Sequence, residues 1–217
     1  MRFALLVATI AAAAVVSAQN QTIFVNVGGD PNTLGGVYQF MPNSITASNG
    51  SVITFKFSGI PGNHSITQST FQSPCQPVEG GFDSGWVEIL KNSTAGVFPE
   101  WNLTITNNAV PIWFYCKQLI PIAHCIAGMV GVINVKPGVS SLAAFQAAAA
   151  KAGSVGQGQN GLVGSGASAA AEPSIQSDIA TLHIGPSAAP GGAITLGVSF
   201  NLFTIVGGVL TGTAMVL

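Results

Sequence analysis

The sequence predicts an all-β domain, an antiparallel sandwich or barrel, followed by a short helix and a stalk. Three observations carry this. Between Gln19 and about Pro137 the apolar runs are short, rich in Val, Ile, Phe and Thr, and separated by Gly, Pro and Asn. Several of these runs alternate with period two, which gives a strand one apolar face. Helical periodicity is scarce in the same stretch, so strands spaced by turn signals must form most of the domain.

In chain order, the first candidate strand is "TIFVNVG", from Thr22. The second, "SVITFKFSG", sets Val52, Thr54 and Lys56 against Ile53, Phe55 and Phe57, and the second set should face the core. "WNLTITN" alternates Trp101, Leu103 and Ile105 with polar partners, and "VPIWFYC" and "MVGVINV" supply two further runs. Trp86, Trp101 and Trp113 read as core or near-surface packing residues. Gly128 reads as support for the turn before the last strand, where a side chain would crowd the loop. From about Gly138 the composition changes. "SSLAAFQAAAAKAG" holds good helix formers and predicts a short helix from Ser140 or Ser141 to near Gly153. "GSVGQGQNGLVGSGASAAAEPS" has too few bulky apolar residues for a core and reads as a disordered, flexible stalk, in which His183 is a solvated residue.

The two ends of the chain address the protein to the cell surface. "MRFALLVATIAAAAVVSAQ" has one basic residue, an apolar run and a small-x-small ending, the pattern of a secretory signal peptide cut after Ala18. The alternative, an N-terminal membrane helix, needs a longer run. "GAITLGVSFNLFTIVGGVLTGTAMVL" stays apolar to Leu217 without a basic anchor after it. With small residues upstream this is the pattern of a glycolipid-attachment signal. Ser187 is the candidate attachment residue, and an earlier one between Gly164 and Ser168 stays open because the spacer after Ser187 is short. The organisation read from sequence is therefore 1–18 signal peptide, 19–137 β domain, 138–193 helix and stalk, and 194–217 attachment signal. Five sequons, at Asn20, Asn49, Asn63, Asn92 and Asn102, fit a glycosylated exported chain.

Charge excludes several functions. Charged residues make up 6% of the chain and the formal net charge is -1. Nucleic-acid binding needs a basic face to displace counterions, and anionic lipid needs a polybasic segment; neither is present, so any membrane attachment is through the lipid anchor alone. The acidic residues of the β domain, Asp30, Glu79, Asp83, Glu88 and Glu100, are scattered, with no paired-carboxylate signature and no phosphate-binding glycine loop.

The informative stretch is "WFYCKQLIPIAHCIAGMVGVINV", which holds Cys116, His124, Cys125 and Met129. The chain has 3 cysteines, so in an oxidising compartment at most one internal disulfide forms and one thiol is left over. A free thiol on an exported protein needs something to hold it, and a metal binds the thiolate. Two imidazoles, from His64 and His124, one thiolate and the weak thioether of Met129 make up the donor set that binds copper for electron transfer. The loop after the Cys116 strand would supply three of the ligands and His64 would reach in from a neighbouring strand. Spacing alone leaves open whether Cys116 or Cys125 is the free thiol. A Cys–His nucleophilic enzyme would need an orienting group and an oxyanion pocket, for which no motif appears. Zinc would take the same nitrogen and sulfur donors, but Met129 is a poor zinc ligand.

These residues carry a resemblance. "ITASNGSVITFKFSG", "NHSITQSTFQSPC", "DSGW" and "IWFYCKQLIPIAHCIAGMVGVINV" resemble the cupredoxins, the plastocyanin-like and phytocyanin-like blue-copper family, and within it the fungal GPI-anchored extracellular proteins of the serine-rich type, over nearly all of 21–137. The resemblance implies a Greek-key sandwich and one type 1 copper ion held by His64, Cys116, His124 and Met129. It implies that Cys125 pairs with Cys75. It also implies a monomeric, cell-surface electron carrier rather than an enzyme, working with a redox partner protein or a small oxidant or reductant that the sequence does not name. The alternatives are a structural or adhesive wall protein without metal, and a copper storage or delivery protein. Two features depart from the family pattern: the loop "KQLIPIA" between Cys116 and His124 is longer than in many plant members, and Asn63, a sequon residue, directly precedes His64.

Overall fold

The structure is a computed structural model that describes residues 21–175 apart from 30, 31, 33–35, 92, 94, 95, 137, 139, 159 and 160. Its elements are β1 (Thr22–Val27), β2 (Phe40–Met41), β3 (Ser44–Ile45), β4 (Val52–Phe57), β5 (Gly62–His64), β6 (Thr67–Ser69), β7 (Val87–Ile89), β8 (Pro99–Ile105), β9 (Ile112–Tyr115), β10 (Val130–Ile133), α1 (Leu142–Ala149), β11 (Ala167–Ala169) and β12 (Ser174–Ile175). They form a Greek-key β-sandwich. One sheet runs β11-β8-β4-β1-β2 with β12 also on β8, the other runs β3-β10-β9-β6, and β5 and β7 make a separate pair.

The alternation read from sequence sets the faces. Ile53, Phe55 and Phe57 of β4 are fully buried with Trp101, Leu103 and Ile105 of β8 and Val25 and Val27 of β1 in one core between the sheets. On the outer face of β4, the Thr54 hydroxyl donates to Asn102 Oδ1 of β8 at 2.7 Å. The sandwich is not wholly antiparallel, however. β1 pairs parallel with β4, and β3 parallel with β10, because the chain crosses from one sheet to the other between β1 and β4.

The second sheet is covered on both sides, which explains why "IWFY" shows no polar alternation. Phe114, like Cys116 just beyond the strand, faces the inter-sheet core, whereas Trp113 and Tyr115 face outward into a second cluster with Val130, Val132, Phe145, Ala149 and the Cys75–Cys125 bridge. The cover on that side is α1. Its N-cap is Ser141, whose hydroxyl accepts from the Ala144 amide, and its buried residues are Phe145 and Ala149. Phe145 packs on Trp113 with ring centroids 4.6 Å apart.

The segment after α1 departs from the sequence expectation. Residues 161–175, read as part of a stalk, belong to the sandwich: Ala167, Ser168 and Ala169 pair with Ile105, Thr104 and Leu103, and Ser174 pairs with Glu100. The Tyr115 hydroxyl donates to Gly156 O at 2.7 Å, Trp101 Nε1 donates to Ala171 O at 3.0 Å, and Gln68 exchanges hydrogen bonds with both backbone groups of Ser165. The boundary at 137 therefore lies inside the folded unit, and the candidate attachment stretch between Gly164 and Ser168 lies in this ordered strap. The tract lacks bulky apolar residues, but it needs no core of its own, because it pairs with β8 and packs against residues of the sandwich. Here glycine permits close backbone approach: a Cβ at Gly158 would overlap the Asp83 carboxylate, and one at Gly164 would overlap Gln68 and Phe82. The stretch 176–193 with His183, and the segments 1–18 and 194–217 expected as signal peptide and attachment signal, lie outside the described residues. Among the described residues no helix is long and apolar enough to cross a membrane.

Candidate metal centre

Two residues of one loop and a third distant in sequence meet at one end of the sandwich. His64 ends β5, Cys116 directly follows β9, and His124 lies on the loop leading to β10. Their donor atoms lie within 4.8 Å of one another. Cys116 Sγ stands 3.7 Å from His64 Nδ1 and 3.5 Å from His124 Nδ1. Such separations suit atoms that each sit about 2.0–2.3 Å from one ion. All three side chains are buried.

The thiol is free to serve because the other two cysteines are bonded to each other. Cys75 and Cys125 form a disulfide, and Cys116 is the free cysteine. The bridge places Cys125 in the outer cluster with Trp113 and Phe145, so that its neighbour His124 turns the other way, toward Cys116.

Hydrogen bonds close the loop that carries the ligands. The Cys116 amide donates to Met129 O, the Met129 amide to His124 O, and the His124 amide to Gln118 O, at 3.1, 2.9 and 2.8 Å. Gln118 Oε1 accepts from the Leu119 and Ile120 amides. The extra length of "KQLIPIA" is thus folded against itself. Met129 is fully buried in the same core as Cys116, and its backbone joins the other two loop ligands. Gly128 has φ +102°, with open space where a Cβ would stand, so its left-handed backbone, and not crowding, requires glycine there.

The surroundings set the protonation of the metal-free site. Burial pulls His64 down to about 3, with the neighbouring His124 adding to the effect, and burial pulls His124 down to about 4. Both rings are therefore neutral at ordinary pH, the form that donates a lone pair to a metal. Burial pushes the Cys116 thiol up to about 11, opposed by amide hydrogen bonds including that from Ser65. The Ser65 amide donates to Cys116 Sγ at 3.4 Å. A metal must displace the thiol proton, and the Ser65 N–H already points at the sulfur that would then carry the charge.

Outside the ligands, Tyr38 covers His124 with ring centroids 4.7 Å apart. A groove of about 500 Å³ lined by Tyr38, Ile60, Pro61, Leu90, Ile120 and His124 opens on this end. Sequence reading missed Tyr38 and Ser65, which only the fold brings to the site. It also missed the pairing of Lys117 with Asp83. Their side chains are 3% and 2% exposed and meet at 2.8 Å, and "DSGW", which contains Asp83, carries no sign of that partner in sequence. Trp101 and Trp113 are core, whereas Trp86 is 48% exposed.

Of the sequon residues, Asn49 and Asn102 are exposed, and Asn63 is half-buried in β5, paired in register with Glu88. Asn49 Oδ1 accepts from the Asn108 amide, and Asn102 Oδ1 accepts from Thr54. Asn20, Asn92 and Ser187 lie outside the described residues.

No family model matches the chain. Over 168 residues it is 33% identical to a protein of Arthroderma benhamiae named "Probable GPI-anchored cupredoxin-1", covering 73% of this chain and 82% of that one. It is 29% identical over 125 residues to an "Extracellular serine-rich protein" of the same organism, covering 58% of this chain and less than half, 43%, of that one. Among solved structures, the oxidised form of plastocyanin from Dryopteris crassirhizoma matches with a TM-score of 0.35 and 24% identity, over 52% of this chain and 99% of that one.

Proposed function

The chain belongs to the cupredoxin family, and from that membership we propose that it binds one copper ion as a cell-surface electron carrier. The observation that supports this most directly is the convergence of His64 Nδ1, Cys116 Sγ and His124 Nδ1 around a thiol that the Cys75–Cys125 bond leaves free. The donor set fits copper better than zinc: two imidazoles and a thiolate with a thioether nearby suit both Cu(I) and Cu(II), whereas zinc seldom takes Met. Met129, buried in the same core as Cys116, would be the fourth and weak ligand. Copper, when bound, would supply single-electron exchange.

The residues of the chain would do the rest. The two neutral imidazoles present lone pairs, the Ser65 amide holds the sulfur, and the hydrogen-bonded loop resists rearrangement when the charge at the site changes. The protein carries no catalytic role in this reading, because burial of all the donors leaves no open position for a substrate. It works as a monomer outside the cell, anchored by glycolipid, and exchanges electrons with a redox partner protein or a small oxidant or reductant. The leader and tail patterns of the sequence and the names of its two relatives support that placement.

The test is metal analysis and a visible spectrum. Mature protein loaded with Cu(II) should absorb near ~600 nm through thiolate-to-copper charge transfer. The band should vanish in Cys116→Ser. Colourless protein that retains no metal after dialysis would sink the reading in favour of a structural or adhesive wall protein, and a tight Cu(I) complex without reversible redox would favour storage.

A further inference from the structure

We propose that the buried Asp83–Lys117 ion pair is a positioning device that fixes the Cys116 thiolate, an inference that rests on the metal-binding reading above. Lys117 is the residue after the ligand cysteine. Its ammonium donates to both carboxylate oxygens of Asp83, at 2.9 and 2.8 Å. The same carboxylate accepts from the Gly85 amide at 2.8 Å, and Trp86 lies over the ammonium with its ring centroid 5.1 Å away.

The backbone on each side of this pair leads to the sulfur. The Lys117 amide donates to Ser65 Oγ at 3.0 Å, and the Ser65 amide donates to Cys116 Sγ at 3.4 Å. Ser65 Oγ also shares a hydrogen bond with Thr67 Oγ1, and the Lys117 carbonyl accepts from Gln157 Nε2 of the strap. Asp83 is itself held by the strap, since its amide and carbonyl both bond to Gly161. The Lys117 side chain is thus tethered at its tip by a residue that the strap holds, and its backbone is tethered beside the ligand.

Stability is a poor explanation for such a pair. Removing two ions from water offsets most of their attraction, and a well-packed apolar pair of similar volume is often as stable. What the pair adds is a tether: with its tip held at Asp83 and its amide and carbonyl held by Ser65 and Gln157, Lys117 has fewer placements of its main chain, and Sγ at 116 has fewer in turn. A metal that must exchange an electron without moving its ligands needs that placement held from outside the ligand set.

The decisive experiment removes both charges and keeps the Gly85 contact, in Lys117→Met/Asp83→Asn, with Asp83→Asn alone as the second variant. Amide hydrogen exchange is followed in the metal-free protein, and the visible band in the Cu(II)-loaded protein. The Ser65 and residue-117 amides should exchange faster, on the order of tenfold, in both variants, while in the double variant the Phe55 amide in the core keeps its rate. The Cu(II) band of the double variant should shift or weaken. Unchanged exchange at 65 and 117, or an equal acceleration at Phe55 in the double variant, would overturn the proposal, because the pair would then be idle or merely stabilising. Failure of the wild-type protein to take copper would count against the proposed function alone, since the exchange arm needs no metal.

Discussion

Gly131 on β10 faces the Phe114 ring on β9 so closely that a Cβ at position 131 would overlap the ring's Cζ and Cε2. The ring cannot retreat, because it packs against Phe40 and Phe55, with centroids 5.0 and 5.5 Å away. Gly131→Ala should therefore destabilise the domain by about 1–3 kcal/mol, the usual cost of overpacking. Urea denaturation measures it. An alanine protein as stable as the parent would show that the ring has room to move. Since Phe114 lies two residues before Cys116, the same variant should also disturb the copper band.

The disulfide is a second lever. Cys75 and Cys125 close a loop with a sequence separation of 50 and hold the residue next to His124. Replacing both with alanine should lower stability by roughly 2–4 kcal/mol. Copper affinity should fall as well, because His124 loses its neighbour's anchor. Denaturation and competitive chelation read the two effects separately, and an unchanged affinity would mean that the loop hydrogen bonds suffice to hold the ligand.

The metal-free protein should have a stability plateau bounded on both sides by its own ligands. His64 and His124 are held at about 3 and about 4, below the ordinary 6.5. The unfolded chain therefore takes up protons that the folded one refuses, and stability falls as pH drops below about 6.5. Cys116 is raised from 9.0 to about 11. The folded chain keeps a proton that the unfolded one releases, so stability also falls as pH rises from about 9 to 11. Denaturation midpoints across the pH range check both limbs. In His64→Gln the acid limb should become shallower, and an acid limb as steep as that of the parent would refute the assignment.

The strap after α1 predicts where the chain can be cut. A protein ending at 153 loses the β11 and β12 pairing and the Tyr115–Gly156 and Trp101–Ala171 hydrogen bonds, each worth about 0.5–1.5 kcal/mol. It should be markedly less stable than one ending at 175. Equal thermal midpoints for the two would mean that the strap adds nothing to the fold.

Much of this protein was legible in its residues. Period-two alternation determined the inward faces of β4 and β8, since a strand with one apolar face has one way to bury it. The kinds of donor and their crowding around Cys116 determined which metal chemistry was worth considering. Tertiary structure decided the rest. Which cysteine stays unbonded depends on Cα positions in space that local spacing does not encode, and the partners of Asp83 and Ser65 are brought to them by strands distant in sequence. The strap shows the physical reason most directly. Glycine in a sequence reports only that the backbone is unencumbered, and whether that freedom is spent on motion or on close contact depends on what lies opposite, which here is Asp83, Gln68 and Phe82.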